Sequence, residues 1–235
     1  DLAHLVDSFI FARTSGDPGS PKGISAFLVP TDAPGFQVEF FWWTFNMPTD
    51  HAEVSLTDVR VGADALFGEV DRGLELAQHF VHENRIRQAA SSLGAAQYCI
   101  DEAVAYANSR TTWGKKLSVN QGIQFPLVEL QTQCEMVRAL IHKTAWMMDT
   151  YGAFSVSDKV SMCNYWSNRL CCEAADRAMQ VFGAMGVSPD TPLADFYTGG
   201  RVLRYADGPD EVHLQTIARL ELKGSAHRRM EISRY

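Results

Sequence analysis

Two hydrophobic rhythms divide the chain. From residue 1 to about 62, apolar positions alternate with polar ones or gather into short runs bounded by Gly, Pro and Ser, as strands require. Ser8-Phe9-Ile10-Phe11-Ala12-Arg13 and Ile24-Ser25-Ala26-Phe27-Leu28-Val29-Pro30 flank a loop rich in Gly and Pro, and Phe36–Phe40 and Ala52–Leu56 each alternate. The pattern predicts an antiparallel β region, with an aromatic cluster Phe40-Phe41-Trp42-Trp43 in it. Near Leu66–Gly73 the period lengthens to that of a helix. Leu93, Ala96, Ile100, Val104 and Ala107 then share one face of a first long helix. A second helix is expected over about Gln121 to Thr150, broken or kinked near Pro126, and a third over about Val156 to Phe182, stopped by Gly183. A last helix follows Pro209, with Val212, Leu214, Ile217, Ala218 and Leu220 at helical spacing. The expectation is a β domain over residues 1–70 and a bundle of about four helices over 71–235.

Length and charge narrow the classes of function. The 235 residues suffice for one large or two small domains, and a net charge of −7 without a basic run argues against a nucleic-acid partner. Five cysteines, an odd number without zinc-ligand spacing, make a metal site unexpected and a reducing, intracellular compartment the simplest reading. Mitochondrial, peroxisomal and cytoplasmic settings are not distinguished. The chain opens at Asp1 within what reads as a strand-rich region, so a piece of a longer protein is expected.

Three stretches and two separate arginines carry candidate chemistry, each with an ordinary reading beside it. Asp207-Gly208-Pro209 is a turn at a helix entrance, where a carboxylate can cap the helix or face a cleft as a proton acceptor. Arg110-Thr111-Thr112-Trp113-Gly114-Lys115 suits a charged helix end closed by Gly114, or a phosphate-binding guanidinium. Gln180-Val181-Phe182-Gly183-Ala184 reads as a chain reversal after a helix, and it is no dinucleotide fingerprint. Arg85 opens the first long helix, and Arg219 lies on the last; both suit solvated surface cations. Trp42, Trp43 and Trp113 fit core, interface or cleft, and Cys171-Cys172 reads as an inert buried pair.

The segment Tyr-Ala-Asp-Gly-Pro-Asp-Glu-Val-His at 205–213 resembles the base-bearing segment of the acyl-CoA dehydrogenases, most closely the subgroup with Ala-Asp-Gly-Pro-Asp-Glu-Val-His. The resemblance covers essentially the whole chain, and the order of a β region before a helical bundle matches the last two-thirds of that family. It implies an α+β fold, the end of an antiparallel β-barrel-like domain followed by an up-down four-helix bundle, with the family's N-terminal helical domain absent.

The resemblance also implies roles. Asp207 takes the place of the family's usual Glu as catalytic base. Arg110, Thr112 and Gln121 match positions that hold the FAD diphosphate of a neighbouring subunit. Gln180, Gly183 and Ala184 match a Gln-x-Phe-Gly-Gly segment beside the adenine half, with Ala184 in place of the second Gly. Pro209 and Glu211 match FAD-binding positions, and Arg85, Gly208 and Arg219 match positions that bind the acyl-CoA. The implied reaction is α,β-dehydrogenation of an acyl-CoA: the base removes the α-proton while the β-hydrogen leaves as hydride to flavin N5. Desolvation beside an apolar pocket can raise a carboxylate from its usual value of about 3.9 towards useful base strength. The partners implied are an electron-transfer flavoprotein or oxygen as acceptor and further copies of the chain, as a homodimer or homotetramer. Nitroalkane oxidase, built on the same fold, also uses Asp, so a flavin oxidase stays open as an alternative. A non-catalytic helical binding or oligomerisation module is the alternative from outside enzymes.

Overall fold

The computed structural model describes residues 7–44 and 47–223. The expected strand-rich opening at Asp1 lies outside these. The chain divides into two compact units, Asp1–Val81 and His82–Tyr235.

In the first unit, β1 (Asp7–Arg13) pairs antiparallel with β2 (Ile24–Pro30), and β2 pairs with the two-residue β5 (Leu66–Phe67). Arg13 organises the connecting loop by donating to the carbonyls of Ser20 and Lys22 at 2.6 and 2.9 Å. A separate hairpin joins β3 (Phe36–Thr44) to β4 (Met47–Leu56), with register shifts at Val38/Phe40 and Trp42/Thr44. The aromatic cluster therefore lies within a strand, and the Phe40 and Trp42 rings meet at 4.5 Å.

The barrel-like expectation is corrected by this topology. The described strands form an open three-stranded sheet in the order β1-β2-β5 and a two-stranded sheet β3-β4. Closure needs a continuous hydrogen-bonded circuit of tilted, staggered strands. Here the circuit is interrupted, because the β3–β4 hairpin pairs only with itself among the described residues.

The buried hydroxyl of Ser25 anchors the exit from this unit. It meets the Thr14 hydroxyl at 2.7 Å and accepts the Asp71 N–H at 2.7 Å, while Thr14 reaches the Asp71 carboxylate at 2.7 Å. The first helix, α1 (Gly73–Ser109), begins two residues later. Gly73 is obligatory there, since a Cβ would lie 2.5 Å from the Ala26 nitrogen.

From His82 onward the fold is helical: the rest of α1, then α2 (Gln121–Tyr151), α3 (Ser157–Phe182), α4 (Leu193–Leu203) and α5 (Asp210–Leu222). The buried stripe of α1 runs through Ala89, Leu93, Ala96, Ile100, Ala103 and Ala107; the small Ala103, not the exposed Val104, takes the inward position. On α2 the stripe is Leu127, Leu130, Cys134, Val137, Ile141, Thr144 and Met147. The expected break at Pro126 does not occur, and α2 is one helix across it. Proline in the second turn of a helix this long removes one backbone bond, which the following packed turns outweigh.

Helix α3 is central, buried on several faces, and packs on α2, α4 and α5. The count of about four helices is thus short by one, α4. A small hairpin also intervenes after α1, where Thr111–Thr112 (β6) pairs with Lys115–Lys116 (β7). All five cysteines are buried and free. Burial pushes the Cys99 and Cys171 thiols up to about 12 and those of Cys134 and Cys163 up to about 11, so they behave as small apolar fillers. Among the described residues no helix is long and apolar enough to cross a membrane.

Candidate active site

Helix α4 ends at Leu203, and the chain turns through residues 204–209 into α5. Asp207 sits in this turn at φ 56°, a left-handed conformation that Asp tolerates better than most side chains. Gly208 follows at φ 115°, open to glycine and strained for any other residue. Its N–H is engaged locally, donating to the Tyr205 carbonyl at 3.2 Å. Pro209 is the N-cap residue of α5 and no side chain caps the helix, so Asp207 is not a capping carboxylate.

The Asp207 carboxylate instead turns to α1. Its Oδ2 accepts from Gln88 Nε2 at 2.7 Å and from the amide of Asn84, while Arg85 Nε donates to the Asp207 backbone carbonyl at 2.8 Å. One face of α1, over a single turn, thus holds both the side chain and the backbone of Asp207. Burial lowers Arg85 from its usual range, and the negative charge of Asp207 opposes that shift.

Two further groups shape the turn. Arg204 donates to buried Asp210, which opens α5, and Arg169 approaches the same carboxylate at 3.8 Å. His213 is buried one turn into α5, and neither ring nitrogen finds a hydrogen-bond partner among the described residues. Burial first, and the neighbouring Arg85 second, push it from 6.5 down to about 4, against the pull of Asp210.

The remaining expected site residues form a second cluster at the far end of the bundle. Arg110 follows α1, Thr112 lies in β6, Gln121 opens α2, and Gln180 and Gly183 close α3. The up-down order puts these termini at one end, and the Tyr106 and Phe182 rings stack at 4.2 Å to tie the ends of α1 and α3 together. Arg110 is exposed, and no hydrogen bond or ion pair engages its guanidinium among the described residues. Gly114 does not close α1, which stops at Ser109. With Trp113 it forms the two-residue turn of the hairpin, both at positive φ, leaving Trp113 fully exposed. Gly183 has φ 66°, and Ala184 is exposed in an ordinary conformation.

Asp207, Gly208, Pro209 and Arg85 are therefore brought together, with exposed Glu211 next along α5 and exposed Arg219 two turns further on. Arg110, Thr112, Gln121, Gln180, Gly183 and Ala184 are not part of that group, since Gln88 and the end of α1 are about 30 Å apart along the helix. Residues that the sequence reading missed are Asn84, Gln88, Asn164 and Asn168. Their signal was amides repeated at i and i+4, on α1 and on α3. No group of His, Cys, Asp and Glu suited to a metal ion occurs among the described residues.

Residues 71–222 match the family profile described as the C-terminal domain of acyl-CoA dehydrogenase. The chain is 36% identical over 217 residues to the "Probable acyl-CoA dehydrogenase FadE2" of Mycobacterium tuberculosis, covering 91% of this chain and 53% of that protein. It is 35% identical over 211 residues to acyl-CoA dehydrogenase family member 11 of Homo sapiens, covering 88% of this chain and 27% of that one. Among solved structures, butyryl-CoA dehydrogenase from Megasphaera elsdenii superposes with a TM-score of 0.81 at 27% identity, covering 91% of this chain and 55% of its own. The chain thus spans about half the length of FadE2 and about a quarter of family member 11. On the profile match and these likenesses together, the chain belongs to the acyl-CoA dehydrogenase family, whose C-terminal domain it contains.

Proposed function

We propose that the complete protein catalyses FAD-dependent α,β-dehydrogenation of an acyl-CoA thioester, with Asp207 as the base. The observation that carries this reading is the Asp207 carboxylate itself, set in a left-handed turn and fixed by amide donors from α1. An ionised carboxylate accepts hydrogen bonds and donates none, so two amide N–H groups on one oxygen suit the form that can take a proton. FAD, when bound, supplies the acceptor for the β-hydrogen, which leaves with its electron pair as hydride to N5. Asp207 takes the α-proton, and the electron pair of that C–H bond becomes the new Cα=Cβ bond. With the shorter Asp side chain, either its backbone approaches the α-carbon more closely or the substrate sits differently; Arg85 holds that backbone.

The far-end cluster fits a flavin diphosphate by its donor set. An exposed guanidinium at Arg110, the Thr112 hydroxyl, and the start of α2 at Gln121, with no acid in its first turn, combine cationic and dipolar attraction for phosphate. Gln180, Gly183 and Ala184 would lie along the adenine half. Separation of this cluster from Asp207 along α1 supports a flavin shared between copies of the chain, hence a dimer or a dimer of dimers. The proposed acceptor for the reduced enzyme is an electron-transfer flavoprotein.

The test is the flavin absorbance of the complete protein, with anaerobic addition of a panel of acyl-CoAs and nitroalkanes, to wild type and Asp207→Asn. Bleaching by an acyl-CoA that falls by orders of magnitude in Asp207→Asn supports the reading; unchanged bleaching removes Asp207 from its role. A flavin oxidase is the second reading, favoured by Asp in place of Glu. Bleaching by a nitroalkane alone, or rapid reoxidation by oxygen, would select it. Absence of flavin bands after FAD is added would leave a helical binding module.

A further inference from the structure

Behind Asp207 three primary amides stand in line. Gln88 donates Nε2–H to Asp207 Oδ2 at 2.7 Å and accepts at Oε1 from Asn164 Nδ2 at 3.0 Å. Asn164 accepts at Oδ1 from Asn168 Nδ2 at 3.0 Å. Asn168 gives its second N–H to the Leu203 carbonyl at 2.9 Å and accepts at Oδ1 from the Ser92 hydroxyl at 2.6 Å. Ser92, Asn164 and Asn168 are buried to within 1% of completeness. Polar groups so deep are costly unless each partner is matched, and along this line they are.

The direction of the line is set at its inner end. A backbone carbonyl only accepts, so Asn168 must turn its NH₂ towards Leu203, and both N–H groups are then assigned. Its neighbour Asn164 must offer oxygen to Asn168 and NH₂ to Gln88; Gln88 must in turn offer oxygen to Asn164 and NH₂ to Asp207. A flip of Gln88 or Asn164 would set oxygen against oxygen and N–H against N–H, and a flip of Asn168 would set its oxygen against those of Asn164 and Leu203. The outermost N–H therefore points at Asp207 Oδ2. Because Asn84 also donates to Oδ2, both amide bonds fall on one oxygen, and Oδ1 has no donor among the described residues.

We propose that Gln88 is a positioning residue for the Asp207 base, oriented by Asn164 and Asn168, and that the line reserves Oδ2 for anchoring and leaves Oδ1 to receive the α-proton. This rests on the reading of Asp207 as the base. A proton arriving on Oδ1 leaves both anchoring bonds on Oδ2 in place.

The test uses the complete FAD-loaded protein and the rate of substrate-driven flavin reduction as a function of substrate concentration. Gln88→Met keeps the volume and removes the donor. The expected result is a rate lower by about tenfold, corresponding to one charge-assisted hydrogen bond, with half-saturating substrate little changed. Asn164→Asp, which does not touch Asp207, replaces the NH₂ that faces Gln88 with an acceptor; Gln88 then turns its own NH₂ inward, and the same fall in rate with half-saturating substrate little changed follows. A wild-type rate in Gln88→Met, alongside a collapse in Asp207→Asn, overturns the positioning role while the base reading stands. Unchanged reduction in Asp207→Asn overturns both.

Discussion

Arg204 donates both Nε and Nη2 to a single oxygen of buried Asp210, at 2.8 and 2.5 Å, and so closes the turn that carries Asp207. The two ends of the turn, the exit of α4 and the entry of α5, are joined by this pair and by the Asp210 N–H to the Arg204 carbonyl at 3.3 Å. Removing the cation leaves a buried carboxylate with only the more distant Arg169 at 3.8 Å. Arg204→Met is expected to destabilise the protein by about 2–3 kcal/mol, because an orphaned buried charge costs more than a lost pair. Adding Asp210→Asn should recover part of that loss. Thermal unfolding of the single and double variants checks it: equal midpoints would show that the charge on Asp210 carries none of the cost.

Gly208 is constrained twice, by its φ of 115° and by its neighbours. A Cβ there would lie 3.2 Å from Arg85 Nη2 and 3.6 Å from His213 Nε2. Gly208→Ala is expected to cost about 1–3 kcal/mol, chiefly from backbone strain. It should also press on the guanidinium whose Nε holds the Asp207 carbonyl. Slower flavin reduction accompanying the lower unfolding midpoint is the expected pair of results; a normal rate with the midpoint lowered would separate Arg85 from the placement of the base.

The turn and its neighbours also show what was legible from residues alone. The α1 stripe follows from periodicity except at Val104, which Ala103 replaces, since burial on one face imposes a period of 3.6 whatever the partner. Helix α4 was not expected, and its Gly200 packs closely on α3: a Cβ would stand 3.0 Å from Cys171 Sγ. The open sheets escaped because alternation announces a strand without naming its neighbour. Trp113-Gly114 read as a helix end, though a two-residue turn with both φ positive is a hairpin signal as well. Asp207 was found through the words around it. Gln88 and Asn164 were not, because an amide has no chemistry of its own until the fold supplies both of its partners.

His213 offers a pH test. In the folded protein its protonation is pushed down to about 4, from the usual 6.5 that applies once it unfolds. Between those values the unfolded state binds the extra proton, so the contribution of His213 is complete above about 6.5, declines as pH falls towards 4, and is constant below. Solvent screening near the turn reduces the span to about 1–2 kcal/mol. His213→Leu removes the titration together with two unpartnered ring nitrogens. The difference between the unfolding midpoints of variant and wild type should shift in favour of the variant as pH drops from 7 to 4. A difference independent of pH would mean that the folded ring already takes up a proton near its ordinary value.

Arg110 tests the flavin assignment at the other end of the bundle. No bond or ion pair holds its guanidinium among the described residues, so Arg110→Ala should leave the unfolding midpoint of the flavin-free protein within about 0.5 kcal/mol of wild type. If Arg110 grips a diphosphate, loss of a charge-assisted contact of about 1.5–3 kcal/mol weakens FAD by roughly ten- to a hundredfold. The absorbance of flavin retained after gel filtration measures this directly, and the same run reports the oligomer. On the proposed reading, the Arg110 cluster of one copy and Asp207 of another serve the same flavin. Co-expressing Arg110→Ala with Asp207→Asn then distinguishes the arrangements. In a dimer that mixes the two variants, one flavin site carries both changes and the other carries neither, so mixed dimers should recover reduction at about half of their sites. If both clusters served the same chain's flavin, every site in the mixture would carry one change, and no wild-type site would form.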